Sequence, residues 1–114
     1  MSTRQAALAL AVVAAALAVP AKADDAAPQQ VTLVCDAVYL PARTNWAREV
    51  RFVLDDTRIR RLEIDGVPVY TFAVFETVIL TSLDNERIQL DTASLTWRSD
   101  FRGQATSQGH CERR

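Results

Sequence analysis

His110 is the only imidazole in this chain of 114 residues, so it is the one side chain that ordinarily titrates near neutrality. A general base needs a substrate proton or a nucleophile within hydrogen-bond reach. His110 lies beside Cys111 on a small, polar C-terminal stretch, which reads as an exposed or packed histidine rather than a catalyst. No Gly-x-Ser-x-Gly elbow offers a serine nucleophile. A carboxylate pair of the glycosidase kind needs its two groups about 5–9 Å apart. Asp55 and Asp56 are adjacent and point to opposite faces of an extended chain, while Asp65 and Asp84 occupy turn sequences. Asp24-Asp25 and Asp55-Asp56 lack the oxygen count and spacing of a calcium loop. One histidine and two cysteines fall short of the four ligands zinc prefers. The expectation is therefore no catalytic residue, no metal and no cofactor.

Binding chemistry is better represented. Trp46, Tyr70 and Trp97 are large aromatics of the kind that anchor protein interfaces, above all beside arginine. In Trp97-Arg98-Ser99-Asp100-Phe101-Arg102, period two places Arg98, Asp100 and Arg102 on one face of a strand and Trp97 and Phe101 on the other. These six residues, Trp46, Tyr70, Trp97, Arg98, Asp100 and Arg102, form the candidate binding face. The competing reading of the strip is a solvated ladder of alternating charge, worth little to stability.

Such residues need a scaffold, and the cysteines indicate one. Residues 1–23 have the order of a secretory signal: Arg4 in a short basic start, the apolar run Ala6–Val19, then Pro20 and Ala21-Lys22-Ala23, with cleavage expected before Asp24. An apolar run of that length is too short for a membrane span, which takes about 20 residues. Thr32-Leu33-Val34-Cys35 is not a lipobox, because Val34 stands where a small residue is required. The expected mature chain has no membrane anchor. In an exported protein the pair Cys35 and Cys111 reads as a structural disulfide. Beyond residue 23 there are eleven arginines, no lysine and fourteen carboxylates, a net charge of −3. That balance provides no footprint for nucleic acid and no polybasic membrane patch.

Residues 24–30 read as a polar, flexible leader and residues 31–114 as one domain. Val31–Leu40 and Trp46–Leu54 have strand composition, the second with strict alternation. Asp65-Gly66 predicts a type I′ hairpin that pairs Ile64 with Val67, Glu63 with Pro68 and Leu62 with Val69, and sets Arg61 opposite Tyr70. Phe72–Leu83 reads as one long central strand, apolar on both faces as far as Leu80. Glu86–Asp91 and the segment around Trp97 are further strands, and Gly103–Cys111 is either a last short strand or an irregular tail. No segment after the signal has a helical stripe. The expectation is an all-β antiparallel meander of about seven strands, curled into a small barrel or half-barrel, with a sheet carrying one short helix as the runner-up.

Leu33-Val34-Cys35, Ile88-Gln89-Leu90-Asp91-Thr92, Phe101-Arg102-Gly103 and Gly109-His110-Cys111 together resemble small exported disulfide-containing β proteins of Gram-negative bacteria. That resemblance implies a periplasmic location and no activity. The expected architecture is also similar to periplasmic inhibitors of C-type lysozyme, although their Ser-Gly-x-x-Tyr loop is missing here. The leading expectation is a non-catalytic periplasmic protein that binds another periplasmic protein or associates with the envelope. A lysozyme-type inhibitor and a small hydrolase using acidic residues are the alternatives.

Overall fold

The computed structural model describes residues 27–114, so the expected signal and cleavage site lie outside the described residues. The chain forms nine strands and no helix within that range: β1 (Gln29–Leu40), β2 (Thr44–Asp55), β3 (Arg58–Ile64), β4 (Val67–Val69), β5 (Phe72–Phe75), β6 (Val78–Leu83), β7 (Glu86–Asp91), β8 (Thr96–Asp100) and β9 (Thr106–Arg113). All are antiparallel to their neighbours in one sheet of order β4-β3-β2-β1-β9-β8-β7-β6-β5, which curls into a nearly closed barrel. The all-β, disulfide-closed expectation holds, with nine strands where about seven were expected.

Alternation places the core. Val31, Leu33, Cys35, Ala37 and Tyr39 of β1 are buried, as are Val50 and Phe52 of β2, Ile88 and Leu90 of β7, and Trp97 of β8. Polar residues between them face outward, which is the period-two signature of a sheet wet on one side. Asp65 and Gly66 take φ of 53° and 82° and deliver the expected I′ hairpin with the expected pairs Ile64↔Val67, Glu63↔Pro68 and Leu62↔Val69. The Arg61–Tyr70 pairing does not form. Arg61 takes a φ of 56° and the β2–β3 register slips between Arg51 and Val53, a bulge that bends β3 away.

Two sequence expectations are corrected, and the choice left open for Gly103–Cys111, strand or tail, is decided for the strand. Gln29 and Gln30, assigned to the leader, already pair with Leu54 and Val53. Phe72–Leu83 is a hairpin, β5 and β6, turning at Glu76-Thr77 where Glu76 takes a φ of 59°, and it lies at a sheet edge rather than at the centre. Gly103–Cys111 is no tail: β9 is the central strand, paired with β1 on one side and β8 on the other. Its small residues permit this. A Cβ at Gly109 would stand 1.8 Å from the Asp36 carbonyl oxygen, so only glycine lets β1 and β9 approach here.

Cys35 and Cys111 are directly opposite in the β1–β9 ladder and are joined, with their Cα atoms 3.8 Å apart. The bond staples the first and last strands in the middle of the sheet. The sheet's two ends are brought together differently. β4 and β5 both run antiparallel to β1 and are separated only by Tyr70-Thr71. They are thus two halves of one ribbon, the first paired with β3 and the second with β6. Two residues span at most about 7 Å, so β4, paired with β3, and β5, paired with β6, follow each other closely along the seam.

Candidate functional site

Two arrangements of polar side chains stand out, one inside the barrel and one outside. The inner one is centred on Arg48, which β2 presents on the same face as Val50 and Phe52 and which is only 3% exposed. Its Nη1 donates to Glu86 Oε1 at 2.9 Å and Oε2 at 3.1 Å, and also to the Tyr39 hydroxyl. Its Nε donates to Asp65 Oδ2 at 2.7 Å. Tyr39 in turn donates to Glu86 Oε2 at 2.6 Å. The guanidinium carbon lies 3.8 Å from the Trp46 ring centre and 4.8 Å from that of Trp97, within range for cation–π attraction. Trp97 Nε1 donates to Ser107 Oγ at 2.8 Å, and Ser107 is bonded to Ser99.

The electrostatics are those of a clamp. Burial opposes the charge on Arg48, but its bonds to Glu86 and Asp65 more than offset that and raise its pKa. Burial also raises the Tyr39 pKa, and its bond to Glu86 adds to the effect. Because Arg48 is on β2, Asp65 in the β3–β4 turn, Tyr39 on β1 and Glu86 at the start of β7, the clamp ties the two halves of the sheet across the interior. Nε and Nη1 of Arg48, the Tyr39 hydroxyl and both Glu86 carboxylate oxygens are thus bonded to one another or to Asp65.

The outer arrangement is a groove of about 730 Å³ across β1, β9, β8, β7 and β6. The registers align one row of outward residues from strand to strand: Val38↔Gln108, Gln108↔Arg98, Arg98↔Gln89 and Gln89↔Leu80. A second row runs Leu40, Thr106, Asp100, Arg87. Val38, Leu40 and Leu80 are exposed apolar residues at the two sides of the groove. Arg87 pairs with Asp100 at 3.3 Å, whereas Arg98 has no ion-pair partner among the described residues. The floor therefore presents one free guanidinium between two amides, with aliphatic shoulders. Adjacent strands are about 4.8 Å apart, so the five-residue row is about 19 Å long.

The sequence-derived candidates separate between these places. Arg98 and Asp100 line the groove. Trp97 is fully buried and Trp46, 48% exposed, packs on Arg48 from the barrel's open end. Tyr70 is 89% exposed on the seam ribbon. Arg102 leaves the strand at a φ of 52° and donates to Asn85 instead of extending the Arg98–Asp100 strip. His110 is exposed on β9, opposite Asp36 and Thr96. Asp55 ends β2 and Asp56 begins the next turn, on the part of the barrel away from the groove.

Sequence reading passed over Tyr39, Arg48, Glu86, Gln89 and Gln108. For Arg48 and Glu86 a signal existed: each has the parity of the apolar positions on its own strand, so an opposite pair of charges faced the core. The chain matches no family model, no curated protein and no solved structure.

Proposed function

We propose that this chain is an exported, non-catalytic binding protein of the periplasm, and that its outer groove docks a segment of another protein carrying a carboxylate between apolar side chains. The supporting observation is the row Val38–Gln108–Arg98–Gln89–Leu80, with an uncommitted guanidinium at its centre. A guanidinium binds carboxylate through two parallel hydrogen bonds. Flanking amides donate to the peptide or to the same carboxylate, and the aliphatic ends cover apolar neighbours. The engaged state of the interior polar groups, with Arg48, Tyr39 and Glu86 bonded to one another, favours a rigid scaffold over a reaction centre.

The test is titration of isotope-labelled, oxidised protein with the blocked peptide Leu-Ala-Glu-Ala-Leu, against the same peptide with Gln for Glu. The reading expects amide and side-chain shifts at Gln89, Arg98 and Gln108, weakened at least tenfold by Arg98→Ala and by the Gln peptide. Arg98→Lys should recover only part of the affinity, since an ammonium cannot bind bidentately. Equal affinity for both peptides, or no shift in those three residues, would refute it.

A further inference from the structure

Two features unused by the groove meet at the barrel seam. The first is the free edge of β5. Glu76-Thr77 is a two-residue turn, so the Phe75–Val78 pair next to it exchanges both main-chain hydrogen bonds. Antiparallel pairs alternate. Ala73 and Phe75 thus point their N–H and C=O at β6, and Phe72 and Val74 point theirs at the free edge. The Thr71 carbonyl, of the same parity as Ala73, does accept from Thr81 of β6 at 2.7 Å. Natural sheets blunt such edges with charge or proline. The other half of the ribbon obeys this: Pro68 sits opposite Glu63 at a non-hydrogen-bonded position, so a ring replaces the outward N–H of β4. β5, which is Phe72-Ala73-Val74-Phe75, has neither device. Val74 and Phe75 are exposed, as is Tyr70 just before the strand.

The second feature lies on the β3 side of the ribbon. β3 runs antiparallel to the ribbon and pairs with it only through Leu62–Ile64. Continued past Leu62, that antiparallel course carries its earlier residues, Arg58–Arg61, back along the level of Tyr70–Ala73 without backbone pairing, the bulge at Arg61 bending β3 there. Arg58, Arg60 and Arg61 are all exposed there. Arg60 lies 3.5 Å from Asp55, while Arg58 and Arg61 have no ion pair among the described residues. One side of the seam is therefore apolar with unused backbone donors, and the other is cationic.

We propose that the seam accepts an extended acidic segment of a partner protein as an added strand. Its main chain pairs with Phe72 and Val74 on β5, its carboxylates meet Arg58 and Arg61, and its apolar side chains cover Tyr70 and Phe75. This is strand addition at an open sheet edge, in which main-chain bonds give affinity and side chains give choice. It uses residues separate from the groove, so either proposal can fail alone.

The experiment uses oxidised, isotope-labelled protein and a blocked heptapeptide of alternating Val and Glu, with the Val and Lys counterpart as control. Amide exchange at Phe72 and Val74 should slow at least tenfold with the Glu peptide and stay unchanged with the Lys peptide. Val74→Pro removes an outward N–H without touching the β6 ladder and should abolish the effect. In case that variant is poorly folded, Arg58→Glu/Arg61→Glu, a surface change, should switch preference to the Lys peptide, and Arg98→Ala should leave seam binding intact. Four results would overturn the proposal: no protection at Phe72 and Val74, equal protection by both peptides, slow exchange at those amides in dilute protein alone, or protection that rises with protein concentration without peptide. The last would make a second copy the occupant.

Discussion

Replacing Arg48 by methionine tests the clamp most directly. Methionine fills a similar volume but leaves the Glu86 carboxylate, 2% exposed, without its cation and leaves Tyr39 with one bond fewer. Removing one partner of a buried ion pair costs about 3–5 kcal/mol, because the remaining charge stays desolvated. Asp65 adds little to this, since it is partly exposed and its Oδ1 still accepts from the Glu49 amide at 2.9 Å. For a domain of this size each kcal/mol lowers Tm by about 4–8 °C, so the loss is about 12–40 °C. The assay is denaturant unfolding of the oxidised variant, followed by tryptophan fluorescence, since both tryptophans lie on the clamp. Arg48→Met/Glu86→Leu should recover most of the lost stability, because replacing both partners by apolar groups leaves no orphan charge. A loss under about 1 kcal/mol, or a double variant less stable than Arg48→Met, would refute the account of the clamp.

Gly109→Ala should abolish folding or cost about 4 kcal/mol or more, because its Cβ meets backbone rather than a side chain that can move; circular dichroism and yield of soluble oxidised protein report this. Cys35→Ser/Cys111→Ser should lose about 4 kcal/mol in the chain-entropy account, measured by urea unfolding, with the strand signature kept at low temperature. Tyr39 should ionise above the ordinary tyrosine range, visible as a late phenolate absorbance step that Tyr39→Phe removes. Its raised folded-state pKa means that this contribution to stability is complete below about pH 10 and is lost as pH rises through the folded value.

The sequence made the strands legible wherever one face is buried and the other wet. β2, β7 and the β3–β4 hairpin alternate cleanly, and Asp-Gly specifies its turn through backbone geometry alone. It was less legible where other forces decide. Phe72–Leu83 is apolar on both faces, so periodicity could not reveal the turn at Glu76-Thr77, and the exposed apolar residues of β5 read as central. β9 was nearly invisible because Ser107, Gly109 and Gln108 have little strand propensity. Its place is set by what surrounds it: Trp97 needs a hydrogen-bond acceptor at Ser107, and β1 needs the space left by Gly109. The groove could not be read at all, since Val38, Leu80, Gln89, Arg98 and Gln108 are aligned only by registers spanning five strands. The one legible part was the outward parity of Arg98 and Asp100.

The position of β9 also bears on when the barrel can form. β1 has β2 beside it early in synthesis, but its other neighbour, residues 106–113, follows all eight other strands along the chain. Hairpins upstream can assemble in order of appearance, yet the ladder uniting the two halves must wait for β9, when the Arg114 amide also reaches the Thr32 carbonyl. Until β9 has emerged, a growing chain keeps the two halves of its sheet unlocked.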